Sequence, residues 1–266
     1  MTEPAAKPTI RILHVLARSG GTLVGKCLGV MGEVVLLSEI HPYAAGPMSP
    51  ALQGRRWFDL VTAEEAERLE DPGRFVEATA LLRRRAEAQG RKLILREWSH
   101  VDFYGLPYNE DPAWRSLLAE TLADTMAPRR AAMTRHPLDQ LLSLGRLVVM
   151  RGHLNLDYFL KGYRRFAEMA AAVGFVRYED LTTAPDATLR RLCGLLDVAF
   201  DPTYAERWAG WKKITGDTGG SGRGNAEAAI RPIPRFPIPP GVLARMAAHA
   251  DYRAALALLG YEHPEA

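Results

Sequence analysis

Short apolar runs alternate along the chain with longer stretches in which apolar and charged residues recur at helical spacing. Residues 10–16 (IRILHVL) form a compact apolar run closed by Arg18-Ser19-Gly20-Gly21-Thr22, the pattern of a buried strand entering a glycine-rich turn. Residues 23–31 then carry helical spacing, and residues 33–38 (EVVLLS) read as a second strand ending at Glu39. The proline- and glycine-bearing stretch 43–53 reads as a loop, and 63–89 as two helices divided at Asp71-Pro72-Gly73. A third strand is expected at 92–96 (KLILR), followed by Glu97-Trp98-Ser99-His100. Downstream, the pattern predicts helices over 114–126, 137–151, 155–172, 185–196 and about 240–259, with strands at 130–134 and 175–178. Apolar strands alternating with helices imply βαβ units and a central parallel sheet. The expectation is one α/β domain over residues 1–266, with helices on both sides of the sheet.

Composition narrows this picture. In 266 residues, 47% hydrophobic and 24% charged, there is ample chain for a buried core, and wholesale disorder is excluded. A net charge of +3 argues against a protein that coats nucleic acid by neutralising phosphates. The basic residues are 28 arginines against 6 lysines, and arginine is the cation suited to a two-pronged grip on phosphate or sulfate. Two cysteines, Cys27 and Cys193, make no disulfide framework and sit in no metal-type cluster. No run approaches the ~18 apolar residues of a membrane span, and residues 1–8 lack the apolar core of a signal peptide. A soluble protein of the reducing cytoplasm is expected.

In an open parallel sheet, ligands bind beyond the carboxyl ends of strands, and the first helix N-terminus there is a ready anion site. The loop Arg18-Ser19-Gly20-Gly21-Thr22-Leu23 offers converging N–H groups, hydroxyls and a fixed charge. Read as Gly20-Gly21-Thr22-Leu23-Val24-Gly25-Lys26-Cys27, it matches the nucleotide pattern GxxxxGK, with Cys27 where a Mg²⁺-binding hydroxyl belongs. Read as Arg18-Ser19-Gly20-Gly21-Thr22-Leu23, it resembles the (K/R)SGTTxL loop of sulfotransferases, Gly21 replacing the first Thr.

A second constellation separates the two. Residues 130–134 lead as an apolar strand into Arg135-His136-Pro137-Leu138-Asp139, with Ser143 on the second turn of the helix that Pro137 opens. A guanidinium and a hydroxyl at one strand end make a second phosphate site apart from the first loop. One continuous phosphate chain needs a single cradle; a nucleotide phosphorylated at both 5′ and 3′ positions needs two. The segment is similar to the sulfotransferase RxPxDxxxS signature, Phe175-Val176-Arg177-Tyr178-Glu179-Asp180-Leu181 to the family's YEDL segment, and the glycine-rich stretch 215–225 with Arg223 to its closing loop. The resemblance, which spans almost the whole chain, implies a P-loop-NTPase-like fold, 3′-phosphoadenosine 5′-phosphosulfate (PAPS) as co-substrate, its bisphosphate PAP as product, and no metal. It also implies Arg18, Ser19, Gly20, Gly21, Thr22 and Leu23 at the 5′ group, Arg135 and Ser143 at the 3′-phosphate, Tyr178 at the adenine and Arg223 on the lid.

Sulfuryl transfer needs in-line positioning, charge on the leaving phosphate and a base for the acceptor. Arg18 is the candidate for the charge. Four residues qualify as base: Glu39 and His41 after the second strand, Glu97 and His100 after the third. His100 ranks first, because KLILR leading to a His resembles the family's strand ending in a catalytic His; it follows Arg96 by four residues, later than in the cytosolic enzymes. Glu39 ranks second. The acceptor, a small molecule or a carbohydrate, is expected against residues 43–57, 102–114 and 155–166, whose aromatics either stack on a sugar or phenol or belong to the core. A Mg²⁺-dependent ATP or GTP kinase using Lys26 and a non-catalytic nucleotide-binding relative are the alternatives.

Overall fold

The structure, a computed structural model, describes residues 6–216 and 229–265. Five strands, β1 (Thr9–Val15), β2 (Val34–Ile40), β3 (Lys92–Trp98), β4 (Ala127–Thr134) and β5 (Phe175–Arg177), form one sheet in the order β2-β3-β1-β4-β5. Every pairing is parallel. From β1 the chain steps outward to β2, returns to β3 and then crosses to β4 on the other flank, so the strand order reverses around β1. Such a switch point opens a crevice at the carboxyl edge.

Helix α1 (Gly21–Gly29) links β1 to β2; α2 (Pro50–Phe58), α3 (Ala63–Arg68) and α4 (Phe75–Ala88) lie between β2 and β3. Next come α5 (Ser99–Phe103) and α6 (Leu117–Ala123) before β4, then α7 (Pro137–Leu144) and α8 (Leu156–Val173) before β5. The rest of the chain adds α9 (Tyr178–Thr183), α10 (Pro185–Leu196), α11 (Tyr204–Arg207), α12 (Val242–Ala248) and α13 (Ala250–Leu259). Alternation along the strands sorts the core. Leu13 and Val15 face α1 and α10, whereas Ile10 and Ile12 face α4 and α6. A third apolar cluster joins α7, α8 and α13 to Ala132 and to Phe103 and Tyr104. Among the described residues no helix is long and apolar enough to cross a membrane.

Several element ends depart from the sequence pattern for local reasons. The Ser49 side chain accepts the Leu52 N–H and Pro50 takes the first helical position, so α2 begins inside the stretch read as a loop. Ser116 caps α6 in the same way, and residues 127–129 pair with β1, so β4 starts earlier than expected. Helix α7 stops at Leu144 ahead of Gly145, well short of residue 151. The C-terminal helix breaks at His249, whose ring accepts the Asp251 N–H and restarts the chain as α13. The short α5, directly after β3, is unmarked by any periodicity.

Candidate active site

A cavity of about 1150 Å³ lies across the carboxyl ends of the strands and is lined from every one of them: Glu39 near the end of β2, Arg96 and Trp98 of β3, the loop after β1, Arg135 after β4 and Tyr178 after β5. The loop owes its shape to two left-handed residues, Arg18 (φ 66°) and Gly20 (φ 93°), the latter capping α1. A Cβ on Gly20 would stand 2.5 Å from the Tyr178 ring, so glycine is required on both backbone and steric grounds. Gly20, Gly21, Thr22 and Leu23 line the cavity, and no acidic residue opposes an anion in the first turn of α1. Ser19 is turned away: its N–H (3.3 Å) and its hydroxyl (2.7 Å) both donate to the Leu16 carbonyl. At Gly21, where the resembled loop has Thr, a Cβ would meet the Arg96 guanidinium at 2.9 Å. Arg96 occupies the room of the missing side chain.

On the β4–β5 side, Arg135 stacks on Tyr178, its guanidinium carbon 4.7 Å from the ring centroid. Its Nη1 donates to the Arg18 carbonyl at 3.1 Å, and its buried Nε has no hydrogen-bond partner among the described residues. Tyr163 O–H donates to the Arg135 carbonyl at 2.5 Å. Glu179 accepts the His136 N–H and the Tyr261 O–H, each at 2.9 Å, which ties the start of α7 to α9 and to the C-terminal segment. The His136 ring accepts the Leu138 N–H and so caps α7. Ser143, on the inner face of α7, is buried and accepts from Arg18 Nε at 2.7 Å. The structure thus brings Arg18, Arg135, Ser143 and Tyr178 together, with Ser143 reaching the cavity through Arg18.

On the β2–β3 side, Ser38 pairs with Arg96 and Ile40 with Glu97, leaving Glu39 as the extra residue of a bulge with φ 55°. Bulges re-aim side chains, and left-handed strain in a non-glycine residue collects at functional sites. Glu39 faces the cavity, 3.6 Å from Arg96, which also donates to Ser38 Oγ. His100, at the start of α5, lines the cavity between Trp98 (ring centroids 5.4 Å) and Tyr104 (5.8 Å). Burial pushes its pKa down to about 4 against the opposing pull of Glu39, so its imidazole is neutral at pH 7.

The other two base candidates lie elsewhere. Glu97 is fully buried and binds His14 Nδ1 (2.6 Å), Ser99 Oγ (2.5 Å) and Ser116 Oγ. Burial alone would raise its pKa; His14 and the two hydroxyls outweigh it and hold the carboxyl at about 2. Arg130 donates to His14 Nε2 at 2.9 Å, which leaves the ring proton on Nδ1 for Glu97. His41 accepts the Tyr43 N–H on Nδ1 and gives its Nε2 proton to Asp102 at 3.0 Å, fixing the loop after β2 to α5.

No protein-family model matches the chain, and no curated protein sequence does. Among solved structures, the sulfotransferase domain from the curacin biosynthetic pathway matches with a TM-score of 0.65 at 16% identity, covering 98% of this chain and 100% of that one. The sulfotransferase domain of the Synechococcus PCC 7002 olefin synthase matches with a TM-score of 0.62 at 21% identity, covering 99% of each. The chain has the sulfotransferase fold.

Within this sulfotransferase fold, Lys26 of the GxxxxGK reading meets the cavity, as do further cations that no motif marked: Arg56, Arg96, Lys212 and Arg231. Cys27 does not join them; it is buried in the core, where burial pushes its thiol up to about 12. Of the aromatics expected at an acceptor site, Trp57 and Tyr108 line the cavity. Phe103, Tyr104, Phe159 and Tyr163 are wholly buried in the core. Thr215 and Gly216 border the cavity, while Arg223 lies outside the described residues. Among the described residues no cluster of three His, Cys, Asp or Glu side chains is placed to hold a metal ion.

Proposed function

We propose that this protein transfers the sulfuryl group of PAPS to a hydroxyl or amine of an acceptor, releasing PAP. The observation that carries the reading is a pair of candidate anion cradles on one cavity: the α1 N-terminus with Arg18, and the Arg135 guanidinium, whose buried Nε has no partner among the described residues. A buried donor without an acceptor is costly, at roughly 1–3 kcal/mol, and is relieved by an anion at that point. Tyr178, buried beside both, offers an aromatic surface for a base. A kinase would use Lys26 but also needs a hydroxyl at position 27 for Mg²⁺, and that position is a buried thiol.

The donor, when bound, supplies the electrophilic sulfur and the leaving 5′-phosphate. Arg18, oriented by Ser143, and the first N–H groups of α1 neutralise the charge that collects on that phosphate. Arg135, held by Tyr163 and by the tie through Glu179, fixes the 3′ end and with it the line of transfer. His100, neutral at pH 7, takes the acceptor proton as the new O–S bond forms, and Glu39 stabilises the imidazolium that results. Calorimetry with adenosine 3′,5′-bisphosphate tests the proposal. Saturable binding that EDTA leaves unchanged is expected; absent binding overturns the reading, and EDTA-sensitive ATP binding favours the kinase. Bisphosphate binding with no sulfate transfer to a broad acceptor panel assigns the chain to non-catalytic relatives.

A further inference from the structure

The cavity, about 1150 Å³, lies above the roughly 300–1000 Å³ range of small-ligand pockets. One part of its wall is apolar. Leu106 and Tyr108 come from the chain after α5, Leu147, Val149 and Met150 from the chain after α7, and Ile233 from the segment that precedes α12. Tyr108, Val149 and Ile233 are 57%, 48% and 56% exposed, an unusual concentration of large apolar side chains around one opening. The wall is preformed. Arg235 holds Asp139 of α7 through two bonds of 2.7 and 2.9 Å, and Arg146 stacks on Phe236 at 4.4 Å, which fixes the segment carrying Ile233.

Among the described residues the polar lining is mostly cationic, with Glu39 its one carboxylate. No Asn or Asp faces the cavity among the described residues, and the one amide, Gln53, is engaged. Gln53 accepts the Ser38 N–H and donates to the Ser38 and Pro47 carbonyls, each at 2.7 Å. Recognition of a polyhydroxylated ring needs several placed donors and acceptors. Arg56, Lys212 and Arg231 also meet the cavity and would suit a sulfated sugar, the rival acceptor.

We propose that the acceptor is an alcohol carried on an apolar body, an aliphatic chain or hydrophobic ring system. The inference rests on the sulfuryl-transfer reading: the acceptor oxygen bonds sulfur as the bond to the 5′-phosphate breaks, and its proton passes to His100. The test is binding, read from the tryptophan fluorescence of the whole chain, since Trp57 and Trp98 line the cavity. Probes are 1-decanol, a neutral tetrasaccharide and a sulfated disaccharide, each with and without adenosine 3′,5′-bisphosphate. Saturable decanol binding is expected, weakened roughly tenfold or more by the double change Val149→Asn and Ile233→Asn, both at exposed positions that need no core repacking. The bisphosphate affinity of that variant stays at the wild-type level if the change touches only the acceptor wall. Saturable binding of either saccharide without decanol binding overturns the inference, and so does decanol binding that the double change leaves untouched. Decanol binding in a protein that does not bind the bisphosphate supports the apolar site and overturns the sulfuryl-transfer reading instead.

Discussion

The two flanks of the cavity are made in different ways. On the β4–β5 flank, Arg135, Pro137, Asp139 and Ser143 fall within nine consecutive residues, and strand end plus helix start turn them toward one point. On the β2–β3 flank, Glu39 depends on a bulge and Arg96 on the room above Gly21; the apolar wall draws on three segments spread over residues 106–233. A phosphate site can be assembled from helix geometry and one guanidinium, and therefore from a short motif. A surface for the second substrate follows from how distant segments pack. The proposed anion site is local; the proposed base and acceptor wall are tertiary.

The sharpest break of that comparison comes from the base. His100→Asn is expected to lower kcat by about 10²–10⁴-fold with PAPS affinity unchanged, since it removes general-base catalysis and touches neither anion cradle. Glu39→Gln is expected to cost roughly tenfold, the scale of one charge acting on a neighbouring imidazolium. Steady-state kinetics with a hydrophobic alcohol measure both. A larger loss in Glu39→Gln than in His100→Asn would move the base to the bulge and leave His100 as its support.

Next in size is the local flank. Arg135→Ala is expected to weaken adenosine 3′,5′-bisphosphate binding about 100-fold, the loss of charged hydrogen bonds together with the support that Nη1 gives the Arg18 carbonyl. Arg135→Lys recovers little of it, because a point charge cannot both stack on Tyr178 and present two donors. Equal affinity in wild type and Arg135→Ala would take Arg135 out of the site.

The same division decides what was legible in the sequence. Strands of near-continuous apolar residues announced the parallel sheet, and Pro137 announced the helix that brings Ser143 beside Arg18. The engagement of Ser19 with Leu16 was invisible, because a serine in a glycine-rich turn reads alike whether its hydroxyl faces in or out. The bulge at Glu39 has no sequence mark either: it arises where β2 and β3 fall out of step, a property of the pair. Glu97 and His100 were both base candidates at the end of the third strand, and His100 ranked first on the resemblance alone. Strand alternation buries the first against His14, while the turn into α5 swings the second to the cavity. Tyr178 and Gly20 carry the converse lesson, a contact between distant motifs that explains why position 20 is glycine.

That contact yields the third prediction. Gly20→Ala places a Cβ in left-handed backbone and against Tyr178, and is expected to destabilise the protein by about 2–4 kcal/mol, from backbone strain plus overpacking. Thermal unfolding should move down by several degrees. An unchanged melting temperature would mean that Tyr178 swings away freely, and the packing of the local flank would then not be rigid.

The smallest expected effect is a slope on the tertiary flank. Above pH 6.5, His100 is neutral in both the folded and the unfolded chain and contributes no pH dependence. As the pH falls from 6.5 toward about 4, the unfolded chain takes up the proton while the folded chain, whose His100 burial holds at about 4, does not. The unfolded state then binds more protons, so stability falls on acidification through that window and levels off below it. His136, also pushed down by burial, contributes in the same direction. His100→Asn removes one of the two, so its melting temperature should fall less steeply than that of wild type between pH 6.5 and 4.5. Parallel curves would mean that His100 is open to water in solution. An imidazole so exposed would titrate near its ordinary value, and the rate of sulfuryl transfer would then fall below pH 6.5 instead of holding level toward pH 5.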